Sequence, residues 1–171
     1  TGQDRHSGSS VEFLAQSDEE PDSHERGVQM RRRSNGSDLA IDLGTAATRL
    51  HGASRTAPIS RPSVVWGSAG PQHALRGGVI IDTDAAAAVV GDLLQSFAVR
   101  RPHTLACVPT DATPAERTAL IEAVLRAGAG AVCVVSEPLA AAVGAGIATE
   151  GACAHTIVDL GEGVTDCAVV R

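Results

Sequence analysis

The sequence predicts an α/β fold: a mixed sheet with helices packed on it. Three observations predict it. Short apolar runs alternate with helical periodicity through the second half of the chain. Two apolar runs each deliver an Asp and then a Gly turn, at Ile41-Asp-Leu-Gly-Thr and at Val158-Asp-Leu-Gly-Glu-Gly. A complete helix start stands at Thr113-Pro-Ala-Glu. It combines an N-cap hydroxyl, a proline at the first helical position and a glutamate at the third, which is a capping box. With 171 residues, 43% hydrophobic and 20% charged, the chain has enough material for one domain with a core.

Residues 1–37 stand apart. They hold five Arg, seven Asp or Glu and few apolar residues, too little to offset the entropy of ordering, so they are predicted to be a disordered polar tail. Arg31-Arg32-Arg33 reads as a solvated charge run rather than a phosphate or lipid contact. Val11 to Leu14 is too short for a membrane-surface helix.

From Asp38 the pattern changes. Leu39 to Leu43 predicts a buried strand and Gly44-Thr45 a turn. Further strands are predicted over Thr48–Ala53 and Ser63–Trp66. Residues 67–78, rich in Gly, Pro and polar side chains, predict a loop. Asp84 is expected to cap a helix running to about Val99, with Val89, Val90, Leu93, Leu94 and Phe97 on one face. Thr104–Val108 predicts a strand ended by Pro109. The capped helix should run to Ala127 and stop at Gly128, followed by a strand over Ala131–Val135. Pro138 opens a small-residue helix expected to reach about Ile147. His155–Leu160 and Val164–Val170 predict two strands around Gly161-Glu162-Gly163.

Composition excludes some functions. There is no Tyr, and Phe13, Trp66 and Phe97 are the only aromatics. The core must therefore be Val, Leu, Ile and Ala, and stacking platforms for single-stranded nucleic acid are excluded. A net charge of −6 argues against non-specific DNA binding. All 14 basic residues are Arg and 29 residues are Ala, a composition expected of a GC-rich genome. No apolar run is long enough for a transmembrane helix, and the N-terminus lacks a signal-peptide pattern. The chain begins with Thr and ends directly after an apolar run, so it is expected to be a fragment. The four cysteines lack the spacing of a zinc knuckle or redox pair. Cys107, Cys133 and Cys167 are predicted to be small buried hydrophobes, in a cytoplasmic protein.

The two Gly turns carry the chemistry. Glycine lets backbone N–H groups approach phosphate oxygens without a side chain in the way. An Asp at a strand end can hold Mg²⁺ through water. Two such loops facing each other would grip a polyphosphate from both sides. The D-x-G-T pattern also occurs in aspartic proteases, but those are mostly β, and the helical middle of this chain argues against that reading. A P-loop needs a Gly-Lys pair, which a Lys-free chain cannot supply.

From Asp38 onward these residues resemble the first half of the actin-like ATPase superfamily, whose core is ribonuclease H-like, and most closely the MreB/Mbl family of bacterial cell-shape proteins. The resemblance rests on Ile41-Asp-Leu-Gly-Thr-Ala-Ala-Thr, Arg61-Pro-Ser-Val-Val, Gly78-Val-Ile-Ile-Asp, Val108-Pro-Thr-Asp-Ala-Thr-Pro-Ala-Glu-Arg, Ser136-Glu-Pro-Leu-Ala-Ala-Ala and Asp159-Leu-Gly-Glu-Gly-Val-Thr-Asp, in that order. It implies that residues 38–171 are domain I of that fold, with the outer subdomain between Pro62 and Gly77 reduced and the second domain absent. It implies ATP and Mg²⁺ as cofactors. Asp42 and Asp159 would lie beside the metal, holding it through water. Gly44, Thr45 and Ala46 would donate to phosphate from the first loop, and Gly161, Glu162 and Gly163 would form the second. Glu137 would orient the attacking water.

The implied role is a cytoskeletal element in cell-shape and cell-wall organisation, cytoplasmic or at the inner membrane face, with at most peripheral membrane association. The implied partners are other MreB-type subunits and cell-wall synthesis proteins, and no nucleic acid. Two departures stand out: Ala47 replaces the family's usual Asn, and Gly161-Glu-Gly-Val replaces the usual Gly-Gly-Gly-Thr. Actins carry an acidic residue at the place of Glu162. Because the nucleotide lies between two domains in this fold, neither hydrolysis nor polymerisation is expected of this chain alone. Two other readings are a non-catalytic interaction module derived from an actin fold and a fragment of another superfamily member, such as a heat-shock chaperone ATPase or a division-type actin homologue. The short segment after Pro62 and the Val108-Pro-Thr-Asp-Ala-Thr run favour MreB/Mbl over the chaperone.

Overall fold

A computed structural model of the chain describes residues 38–52, 54–149 and 152–171. The predicted tail, and Ala53 at the expected end of the second strand, lie outside the described residues.

Strand β1 (Asp38–Leu43) alternates as a half-buried strand should: Leu39, Ile41 and Leu43 face inward and Ala40 outward. β2 (Ala47–Gly52) runs back antiparallel to it, burying Thr48, Leu50 and Gly52. β3 (Ile59–Pro62) adds an antiparallel edge, and its proline suits a strand with no further partner.

The strand predicted over Ser63–Trp66 is found, but residues 67–78 are not the loop the sequence predicts. β4 (Val64–Gly67) pairs with β5 (Gly70–His73), and β6 (Leu75–Arg76) with β7 (Val79–Ile80), both antiparallel. Gly77 and Gly78 form the turn of the second hairpin and Gly70 opens β5 directly after the turn of the first; all three adopt positive φ, which L side chains rarely tolerate.

Helix α1 (Thr83–Gln95) is capped by Asp82, whose carboxylate accepts from Ala85 N–H at 2.9 Å. Asp84, the predicted cap, sits in the first turn instead. The helix stops short of Val99, and Ala98 turns to positive φ. β8 (His103–Val108) leads to α2 (Pro114–Arg126), whose capping box forms in full between Thr113 and Glu116. Gly128, at φ +111°, ends this helix region. β9 (Ala131–Ser136) passes directly into α3 (Glu137–Gly144), which ends before the predicted Ile147. β10 (His155–Leu160) and β11 (Thr165–Val170) close the described chain.

The five-stranded sheet has the order β3-β2-β1-β8-β9. β1, β8 and β9 are parallel, and the β2 and β3 pairings are antiparallel. Leu39, Ile41, Leu43, Leu50, Ala106 and Val108 pack against Val90, Leu93 and Leu94 of α1 and Leu120 and Val124 of α2. Among the described residues the buried core is free of aromatics, and Phe97 packs against it from a partly buried position. β10 and β11 form their own antiparallel ladder, outside the five-stranded sheet. α3 touches β8, β9 and both hairpin strands. Cys133 and Cys167 are exposed, contrary to expectation, because each falls on the outward phase of its strand. Cys107 is half-buried.

Candidate functional site

β1 continues to β2 on one side of the sheet, while β8 continues through α2 to β9 on the other. The two loops leaving the carboxyl ends of β1 and β8 therefore diverge. In open α/β sheets a crevice at such a point is where ligands bind. The predicted residues lie around it.

The first Gly turn is built from beneath. Ser63 is buried; its N–H donates to Ala46 O at 3.0 Å and its hydroxyl to Gly44 O at 2.6 Å. Because the Ser63 hydroxyl is spent on Gly44, Thr48 donates the 2.9 Å bond between the two buried side chains. In a trans peptide the C=O and the following N–H point opposite ways. With the Gly44 and Ala46 carbonyls tied to Ser63, the Thr45 and Ala47 N–H groups point away from it.

The second turn meets the first. A Cβ placed on Gly163 would overlap Thr45 Oγ1 and stand 2.8 Å from Thr45 Cβ. Only glycine allows this approach. A third turn joins them: Gly78 N–H donates to Thr45 Oγ1 at 2.8 Å, and a Cβ on Gly77 would lie 3.7 Å from Gly163 O. Within the second turn, Gly161 N–H donates to Val164 O at 2.9 Å. That amide is already used, which leaves the amides of Glu162 and Gly163 as the turn's remaining donors. Glu162 itself is exposed.

The carboxylates gather beside these turns. Asp42, at the end of β1, accepts from Arg49 at 2.8 Å across the β1–β2 ladder. Asp159 and Asp166 stand directly opposite each other on β10 and β11. Asp166 accepts from Thr110 N–H at 2.7 Å. Glu137 is the first residue of α3 rather than the residue before it. Partial burial, then the charges of Asp159, Asp42 and Asp166, push its carboxyl up to about 7. Burial, followed by Asp42, Glu137 and Asp159, pushes the Cys107 thiol up to about 11. A cleft of about 240 Å³ opens here, lined by Leu43, Gly78, Cys107, Pro109, Glu137 and Val164, among others. Of the nine predicted residues only Glu137 lines this cleft; the glycine turns and the two aspartates stand around it.

Among the described residues no three His, Cys, Asp or Glu side chains come close enough to cage a metal directly. The donor set nevertheless fits a hydrated divalent cation and an anion together: crowded carboxylates on one side, and glycine turns with outward amides on the other. The sequence reading missed Gly77-Gly78, Ser63, Arg49, Cys107, Thr110 and Asp166. Only Asp166 carried a local signal, since a hairpin through Gly161–Val164 pairs it with Asp159.

Comparison with known proteins bears on this arrangement. The sequence profile described as MreB/Mbl protein matches residues 71–171. The cell shape-determining protein MreB of Escherichia coli (strain K12) is 31% identical, over 78% of this chain and 48% of that protein. The chain thus spans about half the length of the curated relatives it matches. The crystal structure of MreB5 of Spiroplasma citri bound to ADP superposes with a TM-score of 0.68 at 27% identity, covering 78% of this chain and 48% of that one. The same protein bound to AMPPNP gives 0.67. The MamK double helical filament gives 0.63 at 20% identity, over 76% of this chain and 49% of that one, and speaks to the fold alone. The profile covers more than half of the chain, and the expected actin-like fold is found: the chain belongs to the MreB/Mbl family.

Proposed function

We propose that this chain is the nucleotide-handling part of an actin-like, cell-shape-determining cytoskeletal protein. It binds ATP with its phosphates between the turns Gly44-Thr45-Ala46 and Gly161-Glu162-Gly163. Asp42 and Asp159 hold Mg²⁺ through water, and Glu137 orients water toward the terminal phosphate. The bound Mg²⁺ would supply charge neutralisation for the phosphates. The observation that carries this reading is the contact of the two glycine turns beside a crowded group of carboxylates, at the point where the β1 and β8 connections diverge. Domain I of the actin-like fold over residues 38–171 is part of the same reading. So are self-association with like subunits, work alongside cell-wall synthesis proteins, and a cytoplasmic place with at most peripheral contact with the membrane.

Crowded carboxylates repel a bare triphosphate and attract its magnesium complex, so the metal must accompany the nucleotide. Isothermal titration of the chain with ATP, with and without Mg²⁺, tests this. A Mg²⁺-dependent signal that disappears in Asp42→Ala and Asp159→Ala is expected. No binding of Mg-ATP at millimolar ligand overturns it.

A further inference from the structure

The hairpin β10–β11 has no ladder to the five-stranded sheet. Its second glycine turn therefore has no hydrogen-bonded strand register to fix its distance from β1 and β8. Discrete contacts must do so. One is the packing of both hairpin strands on α3. Another is the contact of Gly163 with Thr45. Val164 also packs close to Gly78, and among the described residues one long-range side-chain hydrogen bond ties the hairpin down: Asp166 on β11 accepts from Thr110 N–H at 2.7 Å, across 56 residues of sequence.

That bond has a specific local origin. β8 ends at Val108, and Pro109 has no N–H to give. Thr110 is thus the first amide beyond the strand that can donate. Asp166 stands opposite Asp159 in the ladder, and like charges directly opposite destabilise a strand pair. Donation from Thr110 stabilises the Asp166 carboxylate opposite Asp159, and a charge-assisted bond of this kind is among the stronger ones. The bond joins the end of β8, where Pro109 and Cys107 line the cleft, to the strand that follows the second turn, where Val164 lines it.

We propose that Asp166 is a positioning residue: its carboxylate, bonded to the Thr110 amide, fastens the β10–β11 hairpin to the end of β8 and so sets the separation of the second glycine turn from Glu137. Its link to nucleotide binding rests on the function proposed above; the fastening itself does not.

Amide hydrogen exchange and Mg-ATP titration of the 171-residue chain test it. The wild-type Thr110 amide should exchange slowly. Asp166→Ala should speed exchange at Thr110 and at Gly161 by about tenfold or more, and weaken Mg-ATP binding by about tenfold. Asp166→Asn keeps an acceptor oxygen and should stay within about threefold of wild type on both readouts. A residue acting only through its charge gives a different pattern: Asn and Ala behave alike, and both weaken Mg-ATP binding equally because a carboxylate that attracts the magnesium complex is gone. Thr110→Pro removes the donor and leaves every carboxylate in place. It should reproduce the faster Gly161 exchange and the weaker Mg-ATP binding of Asp166→Ala, and it carries the test if that variant fails to fold. The proposal is overturned by an unprotected Thr110 amide in wild type, by Mg-ATP binding that is unchanged in Asp166→Ala, or by Asp166→Asn losing as much affinity as Asp166→Ala. If the wild-type chain binds no ATP, the proposed function falls, while exchange at Thr110 and Gly161 still decides whether the fastening exists.

Discussion

Gly163 and Thr45 touch across the gap between the two glycine turns, so closely that a methyl group on Gly163 would overlap the Thr45 hydroxyl and lie 2.9 Å from its Cγ2. The turns of two separate ladders are thus held at glycine spacing. Gly163→Ala should force them apart and lower stability by about 1–3 kcal/mol, as overpacking does. It should also weaken Mg-ATP binding. Adding Thr45→Ala removes both clashing atoms beyond Cβ and should return part of the loss. Urea unfolding and calorimetric titration of the single and double variants check this.

Glu137 makes stability depend on pH with an unusual sign. Its carboxyl is raised from 4.5 to about 7 in the folded chain. Between these values the folded chain binds a proton that the unfolded chain has released. This contribution therefore favours folding as pH falls from 7 toward 4.5, and is lost as pH rises through 7. After discounting for the partly exposed side chain, its size is about 1–2 kcal/mol. Glu137→Gln should be more stable than wild type at pH 8 and should show a flatter stability profile between pH 5 and 8 by urea denaturation.

Gly52 is fixed by the core rather than by any turn. A Cβ there would stand 2.6 Å from Leu39 Cδ2 and 3.0 Å from the Phe97 ring. Leu39 is only 3% exposed, so moving its methyl aside disturbs the packed core around it. Gly52→Ala should therefore destabilise by about 1–3 kcal/mol, read as a lower urea midpoint with Mg-ATP affinity unchanged.

Thr113 begins α2 by accepting from Glu116 N–H, while the Glu116 carboxylate accepts from Thr113 N–H at 2.6 Å. Thr113→Ala removes the hydroxyl and should cost about 1 kcal/mol. Thr113→Ser should retain most of it. Thermal melts of the two variants check the difference.

These positions also mark where the sequence could be read. Strands β1 and β8 were legible because Leu39, Ile41, Leu43 and their counterparts alternate, β10 because it is a short apolar run even though Val158 and Leu160 are exposed, and α2 because its capping box is wholly local. The cap of α1 was ambiguous: Asp82 and Asp84 are equally good acceptors, and only the path of the chain decides between them. Strand β3 was hidden because Ile59-Ser-Arg-Pro, at an edge, has neither alternation nor an apolar run. Residues 67–78 read as loop because glycines that serve two tight hairpins look locally like glycines in no structure at all. At the site, the residues on the two Asp-Gly turns were visible. Their support was not: Ser63 beneath Gly44, Gly78 on Thr45 and Thr110 on Asp166 are contacts between distant segments, with no periodic signature.

Cys107 has a practical consequence. A thiol pushed up to about 11 holds its proton at neutral pH, and only the thiolate is a nucleophile. Cys133, Cys153 and Cys167 are exposed. A maleimide should modify those three first and reach Cys107 last, when the cleft between β8 and α3 opens or the chain unfolds. The protein thus carries an internal clock for that opening: the rate of the slowest alkylation, followed by intact mass, should fall when Mg-ATP closes the space around it.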